Sequence, residues 1–134
     1  MKRFYSLKGR NLFKEVYKKG KKIQGNGVKI FILKIDVFNE MFTDKYIPTD
    51  AKKVKIGISI QKKIGNAVFR NKIKRRIRSI FGGLLSEMND GFCIIITPEV
   101  DFKSFSFEKS KSAITSLLIK TGVLNKNELR CNNH

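Results

Sequence analysis

The sequence predicts an α/β (α+β) two-layer sandwich, a small sheet packed on helices, and three observations predict it. A strand pattern with one apolar and one nearly bare face precedes a basic amphipathic helix. A second strand, apolar on both faces, follows that helix, and further helical patterns open and close the chain. The 134 residues suffice for one domain with a core. Hydrophobic content of 41% with 11 Phe excludes a disordered polyelectrolyte, while 29 Lys plus Arg against 11 Asp plus Glu leave a net charge of +18. That balance points to a polyanionic partner, nucleic acid first and an anionic membrane surface second. His134 is the only histidine and the last residue, which excludes a histidine-based triad and a multi-histidine metal site. Cys93 sits in an apolar run and reads as core, Cys131 lies in the tail, and their contexts suggest neither a framework bridge nor a metal site. The first residues carry charge without an apolar run of signal-peptide length, and no stretch approaches a membrane span, so a soluble cytoplasmic protein is expected.

Leu12, Phe13, Val16 and Tyr17 recur at helical spacing from about Lys8 to Lys18, and Gly20 is placed to end that helix. Phe13 and Tyr17, four apart, share one stripe. Rings so placed serve either as core, the default, or as a platform for bases. Val28 to Ile35 suits a strand, with Val28, Ile30 and Ile32 on one face and Lys29, Phe31 and Leu33 on the other. Asn39 to Lys53 has no period, contains Pro48, and reads as a long loop. In the strand Val54 to Ile60, Val54, Ile56, Ile58 and Ile60 alternate with Lys55, Gly57 and Ser59, a face sparse enough to floor a groove.

Gly65 makes a turn and Asn66 an N-cap for a helix reaching about Asn89. Ile73, Ile77, Ile80, Phe81, Leu84 and Met88 form its core-facing stripe, Asn71, Lys74, Arg75 and Arg78 lie opposite, and Gly82 and Gly83 loosen or end its regular part. Eleven Lys or Arg and no Asp or Glu fall between Ala51 and Ser86, which argues against an ordinary solvated charge run. Asp90 and Gly91 turn the chain into a strand from Phe92 to Thr97, apolar on both faces and hence central, ended by Pro98. The basic helix thus joins two strands expected to lie parallel. Ser106 caps the last long helix, with Glu108 in its first turn, Phe107, Ile114, Leu117 and Leu118 as its stripe and Gly122 beyond its end. The domain plan is one domain over 1–122 with a long loop at 39–53, and a tail, 123–134, that is either a short helix or disordered.

Lys62, Lys63, Ile64, Gly65, Asn66, Ala67, Val68, Arg70, Asn71, Ile73, Lys74 and Arg75 closely resemble the signature of the bacterial ribonuclease P protein component. Phe13, Val16, Tyr17 and Gly20 look like that family's first-helix pattern, and the strand KIGISI precedes the signature as it does there. The resemblance covers roughly residues 10 to 35 and 54 to 120. It implies a small mixed sheet, the order α-β-β-β-α-β-α, and a left-handed crossover around the basic helix, against the usual hand. It further implies a subunit of the ribonucleoprotein that removes the 5′ leader from precursor tRNA, one protein per catalytic RNA. The chemistry would belong to Mg²⁺ ions on the RNA, with no catalytic residue and no firmly held cofactor on the protein. The catalytic RNA would be met by Lys62, Lys63, Asn66, Arg70, Asn71, Lys72, Lys74, Arg75 and Arg78. Lys72 stands where the family usually has Arg, which keeps charge and loses the planar fork. The single-stranded leader would lie in a cleft between the first helix and the sheet, on Phe13, Tyr17, Phe31 and Ala67, with Lys29 and Ser59. The loop at 39–53 looks longer than is usual in the family. The alternative is a structural RNA-binding protein of ribosomal type. Composition does not separate the two; the string KKIGNAVFRNKIKRR does. A membrane-surface role would leave exposed the apolar stripe that the sheet uses.

Overall fold

Alternating apolar residues in the strands and stripes at helical spacing assemble one core between a sheet and two long helices. The computed structural model describes residues 10–34, 54–89 and 91–124, without the side chains of residues 10–13 and 15. The loop expected at 39–53 and the tail beyond 124 lie outside the described residues. The elements are α1 (Arg10–Lys19), β1 (Lys21–Gly25), β2 (Val28–Lys34), β3 (Val54–Ile58), α2 (Ala67–Leu84), β4 (Phe92–Pro98) and α3 (Phe107–Thr121). Their order is the one the resemblance implies. The four strands lie as β1-β2-β4-β3, with β3 parallel to β4 and the other pairs antiparallel. β4 is therefore central, and Cys93 through Pro98 are all buried, as the absence of any polar face predicted.

On one face Val28, Ile30, Ile32, Val54, Ile56, Ile94 and Ile96 meet the stripes of both long helices. α2 contributes Ile73, Ile77, Ile80, Phe81 and Leu84, and α3 contributes Ala113, Ile114, Leu117 and Leu118. α1 crosses the other face, over β2 and β4. Gly20 permits that approach: a Cβ there would stand 2.5 Å from the Val16 carbonyl oxygen and 3.0 Å from that of Ile32. The helix ends follow the sequence signals. Asn66 Oδ1 accepts from the Phe69 amide at 2.9 Å, Ser106 Oγ accepts from the Lys109 amide at 3.1 Å, and Gly122 takes the left-handed conformation, φ 84°, after α3.

Four features depart from the sequence pattern. β1 was not expected from its own residues, of which only Ile23 packs toward the core. It exists because Asn26 and Gly27, at φ 55° and 79°, close a two-residue hairpin between Gly25 and Val28. α2 ends its regular part at Leu84, earlier than the expected Asn89, and continues as a 3-10 turn, Leu85–Glu87, that still buries Met88. Phe107, expected in the apolar stripe of α3, is 46% exposed, whereas Phe102, in the 3-10 turn before α3, is fully buried. Packing also runs past residue 122: Val123 and Leu124 are buried, and Leu124 bridges to Met88.

Candidate nucleic-acid interface

The lead-in to α2 is shaped by two inward side chains. Ile64 is fully buried at the end of the 3-10 turn Lys62–Ile64, and Phe69 packs on the core one turn into the helix. Gly65 lies between them, where a Cβ would come within 2.9 Å of Phe69 Cδ1, so only glycine lets that ring fold back without displacement. With Ile64 and Phe69 turned in, Lys62, Lys63, Asn66, Ala67 and Val68 are turned out, and Val68 is 78% exposed.

Further along α2, Asn71, Lys72, Arg75 and Arg78 are exposed and Lys74 is half-buried. These are the residues expected to face a polyanion, and one helix face brings them together. Arg70, half-buried, lines a shallow hollow with Ile60, Ala67, Asn71 and Lys74, and its Nε is buried without a hydrogen-bond partner among the described residues. Leaving such an N–H unpaired costs about 1–3 kcal/mol, more for a charged group, and a phosphate oxygen is an apt acceptor for it. Arg76 differs from its neighbours. Its Nη1 donates to the Phe105 carbonyl at 2.8 Å, so it ties α2 to the turn before α3.

The second feature is the cleft beneath α1. Tyr17, 36% exposed, stands edge-on to Phe31 with ring centroids 4.7 Å apart and planes at 80°. Its hydroxyl lies 3.4 Å from Thr97 Oγ1. Lys29 is half-buried and is the cross-strand partner of Thr97. The Ser59 amide donates to the Ile96 carbonyl at 3.0 Å, which continues the β3 register next to Thr97. Of the residues expected at the leader, Tyr17, Phe31 and Lys29 thus come together with Ser59 nearby. Ala67 is exposed at the start of α2 and lines the Arg70 hollow, and the side chain of Phe13 lies outside the described residues.

Lys29 and Lys63, expected to serve different partners, line one hollow with Gln61, Thr97, Pro98, Glu99, Val100 and Asp101. Gln61, Thr97 and Glu99 carried no local signal in the sequence. They come to the cleft through strand register, with Thr97 set opposite Lys29 and Glu99 one residue past the end of β4. Among the described residues no three His, Cys, Asp or Glu side chains gather as a metal site, and no helix is long and apolar enough to cross a membrane.

An α+β scaffold that sets a basic helix face beside an aromatic-floored cleft defines an RNA-binding protein. A family model described as Ribonuclease P matches residues 1–122. A ribonuclease P protein component of Acholeplasma laidlawii is 34% identical over 126 residues, covering 94% of this chain and 97% of that relative. One from Listeria innocua is 31% identical over 118 residues, 88% of each chain. The solved ribonuclease P protein of Staphylococcus aureus superposes with a TM-score of 0.73 at 26% identity, covering 90% of this chain and 98% of that one. The chain belongs to the ribonuclease P protein family, and so to the accessory subunits of the tRNA 5′-processing enzyme.

Proposed function

We propose that this protein binds the catalytic RNA of ribonuclease P through the outer face of α2 and holds the 5′ leader of precursor tRNA in the cleft between α1 and the sheet. The observation that carries this reading is the one-signed surface of α2 and its lead-in. Every charged side chain from Lys62 to Arg78 is basic, and all but Arg76 are left for a partner by the fold. Lys62, Lys63, Asn66, Arg70, Asn71, Lys72, Lys74, Arg75 and Arg78 meet the RNA backbone, and phosphate contacts of this kind release counterions. Tyr17, Phe31 and Phe13 stack on leader bases, which tolerates varied sequence because every base has a π-face, while Lys29, Ser59 and Ala67 border the strand. One protein serves one RNA in the cytoplasm, and the Mg²⁺ ions of the reaction are held by that RNA.

Reconstitution tests the reading. Added to a bacterial ribonuclease P RNA at low Mg²⁺, the protein is expected to restore 5′ processing of precursor tRNA. Replacing Arg75 and Arg78 together with Ala should weaken RNA binding and reduce the slope of log affinity against log salt by roughly 1 for each phosphate no longer neutralised. An unchanged slope would remove these arginines from the interface.

A further inference from the structure

Phe107 is the most exposed aromatic ring among the described residues, and it belongs to neither the outer face of α2 nor the α1 cleft. Its place follows from the period of α3. Ala113 lines a hollow with Asn26 and Gly27, and a Cβ on Gly25 would meet Leu117 Cδ2 at 3.7 Å, so that flank of the helix faces the β1–β2 hairpin. Phe107 falls on the other flank, within roughly 20° of Ile114 and Leu118 around the helix, with Lys111 beside it. α2 lies on that side. The turn that leads to Phe107 is fastened to α2 at two points: Arg76 Nη1 donates to the Phe105 carbonyl at 2.8 Å, and Lys103 Nζ stands 5.9 Å from the centroid of the Phe69 ring. Lys72 projects between those points, three residues after Phe69 and four before Arg76, and it is exposed.

Exposed cations thus border the ring from three elements, Lys72 from α2, Lys103 from the turn and Lys111 from α3. Glu108 is the one acid in the first turn of α3, where the helix dipole favours it. A ring set among cations suits neither an apolar protein surface nor a second copy of a chain whose net charge is +18. It suits single-stranded nucleic acid, whose bases stack on rings while its phosphates meet ammonium groups. We propose that the RNA surface of α2 continues across this groove onto α3, where Phe107 stacks on one unpaired nucleotide of the catalytic RNA and Lys72, Lys103 and Lys111 hold the adjoining phosphates. The inference rests on the reading that α2 meets the catalytic RNA, and adds a base contact where the rest of that face meets backbone. The occupant is the catalytic RNA and not the leader, because α2 and α3 cover one face of the sheet and α1 crosses the other.

The chain contains no tryptophan, so Phe107→Trp places a single fluorophore at the groove. Titrated with catalytic RNA in the absence of precursor tRNA, the indole should be quenched by stacking, with the same midpoint as RNA binding measured by filter retention. Phe107→Leu keeps apolar bulk and removes the π-face. It should melt like the parent protein yet bind the RNA roughly five- to tenfold more weakly, the lower end of what a stacked base is worth, with the salt slope unchanged. Lys111→Gln should instead reduce that slope by about 1. An indole that stays bright while the RNA binds, quenching that begins only when precursor tRNA is added, or Phe107→Leu binding as tightly as the parent overturns the proposal and leaves the α2 reading intact. Failure of the catalytic RNA to bind the parent protein overturns both.

Discussion

Asn66 has two uses for one side chain. Its Oδ1 caps α2 through the Phe69 amide, and its exposed position puts the rest of the group on the surface proposed to meet RNA. Substitution separates the two. Asn66→Ala should cost about 1 kcal/mol of stability in a urea melt through loss of the cap. Asn66→Asp should keep the cap and gain from the helix dipole, yet bind RNA more weakly because a carboxylate replaces an amide among phosphates. If both variants lose RNA affinity only in proportion to stability, Asn66 is a cap and nothing more. Gly65 and Gly20 work at the same scale by taking up no space: one admits the Phe69 ring and the other lets the end of α1 reach β2.

α2 is the element in which adjacent charges have different fates. Arg75 is exposed, whereas Arg76 spends a hydrogen bond on the Phe105 carbonyl 29 residues away. Arg76→Ala should destabilise the fold by about 1–3 kcal/mol, as expected for a hydrogen bond to a charged donor, and leave the salt dependence of RNA binding alone. Arg75→Ala should do the reverse, and paired melts and salt titrations would show the exchange. Sequence marked the two faces of this helix well, because a 3.6-residue period and a cap are local properties that survive in any tertiary setting. It also marked β4 as central, since no polar face is left for solvent. What escaped was decided at a distance. KKIQG has one inward residue, so β1 owes its existence to the Asn26–Gly27 turn and to pairing with β2, and Asn-Gly was the signal available for it. Phe107 fits the stripe of α3 by spacing, yet it lies at the first residue of the helix and is left exposed, while Phe102 in the preceding turn is buried. The Thr97–Glu99 hollow has no motif because it is made where two strands end together.

At the scale of the molecule, the sheet order determines when the RNA-binding surface can be built. β1 and β2 are a hairpin, adjacent in sequence and free to pair early. β3 is different, for its neighbour in the sheet is β4, and α2 lies between the two in the chain. β4 also closes the core against which α2 packs. During synthesis, then, α2 leaves the ribosome before the strand that seats it, with Ile73, Ile77, Ile80 and Phe81 still uncovered. A chain truncated before Phe92 should show little cooperative unfolding by circular dichroism and rapid proteolysis, whereas one ending at Leu124 should melt cooperatively. A cooperative core in the shorter chain would show that β3 and α2 assemble unaided. The basic helix is thus a late product of folding, so a nascent chain reaches its RNA as an adhesive polycation before it becomes a shaped surface.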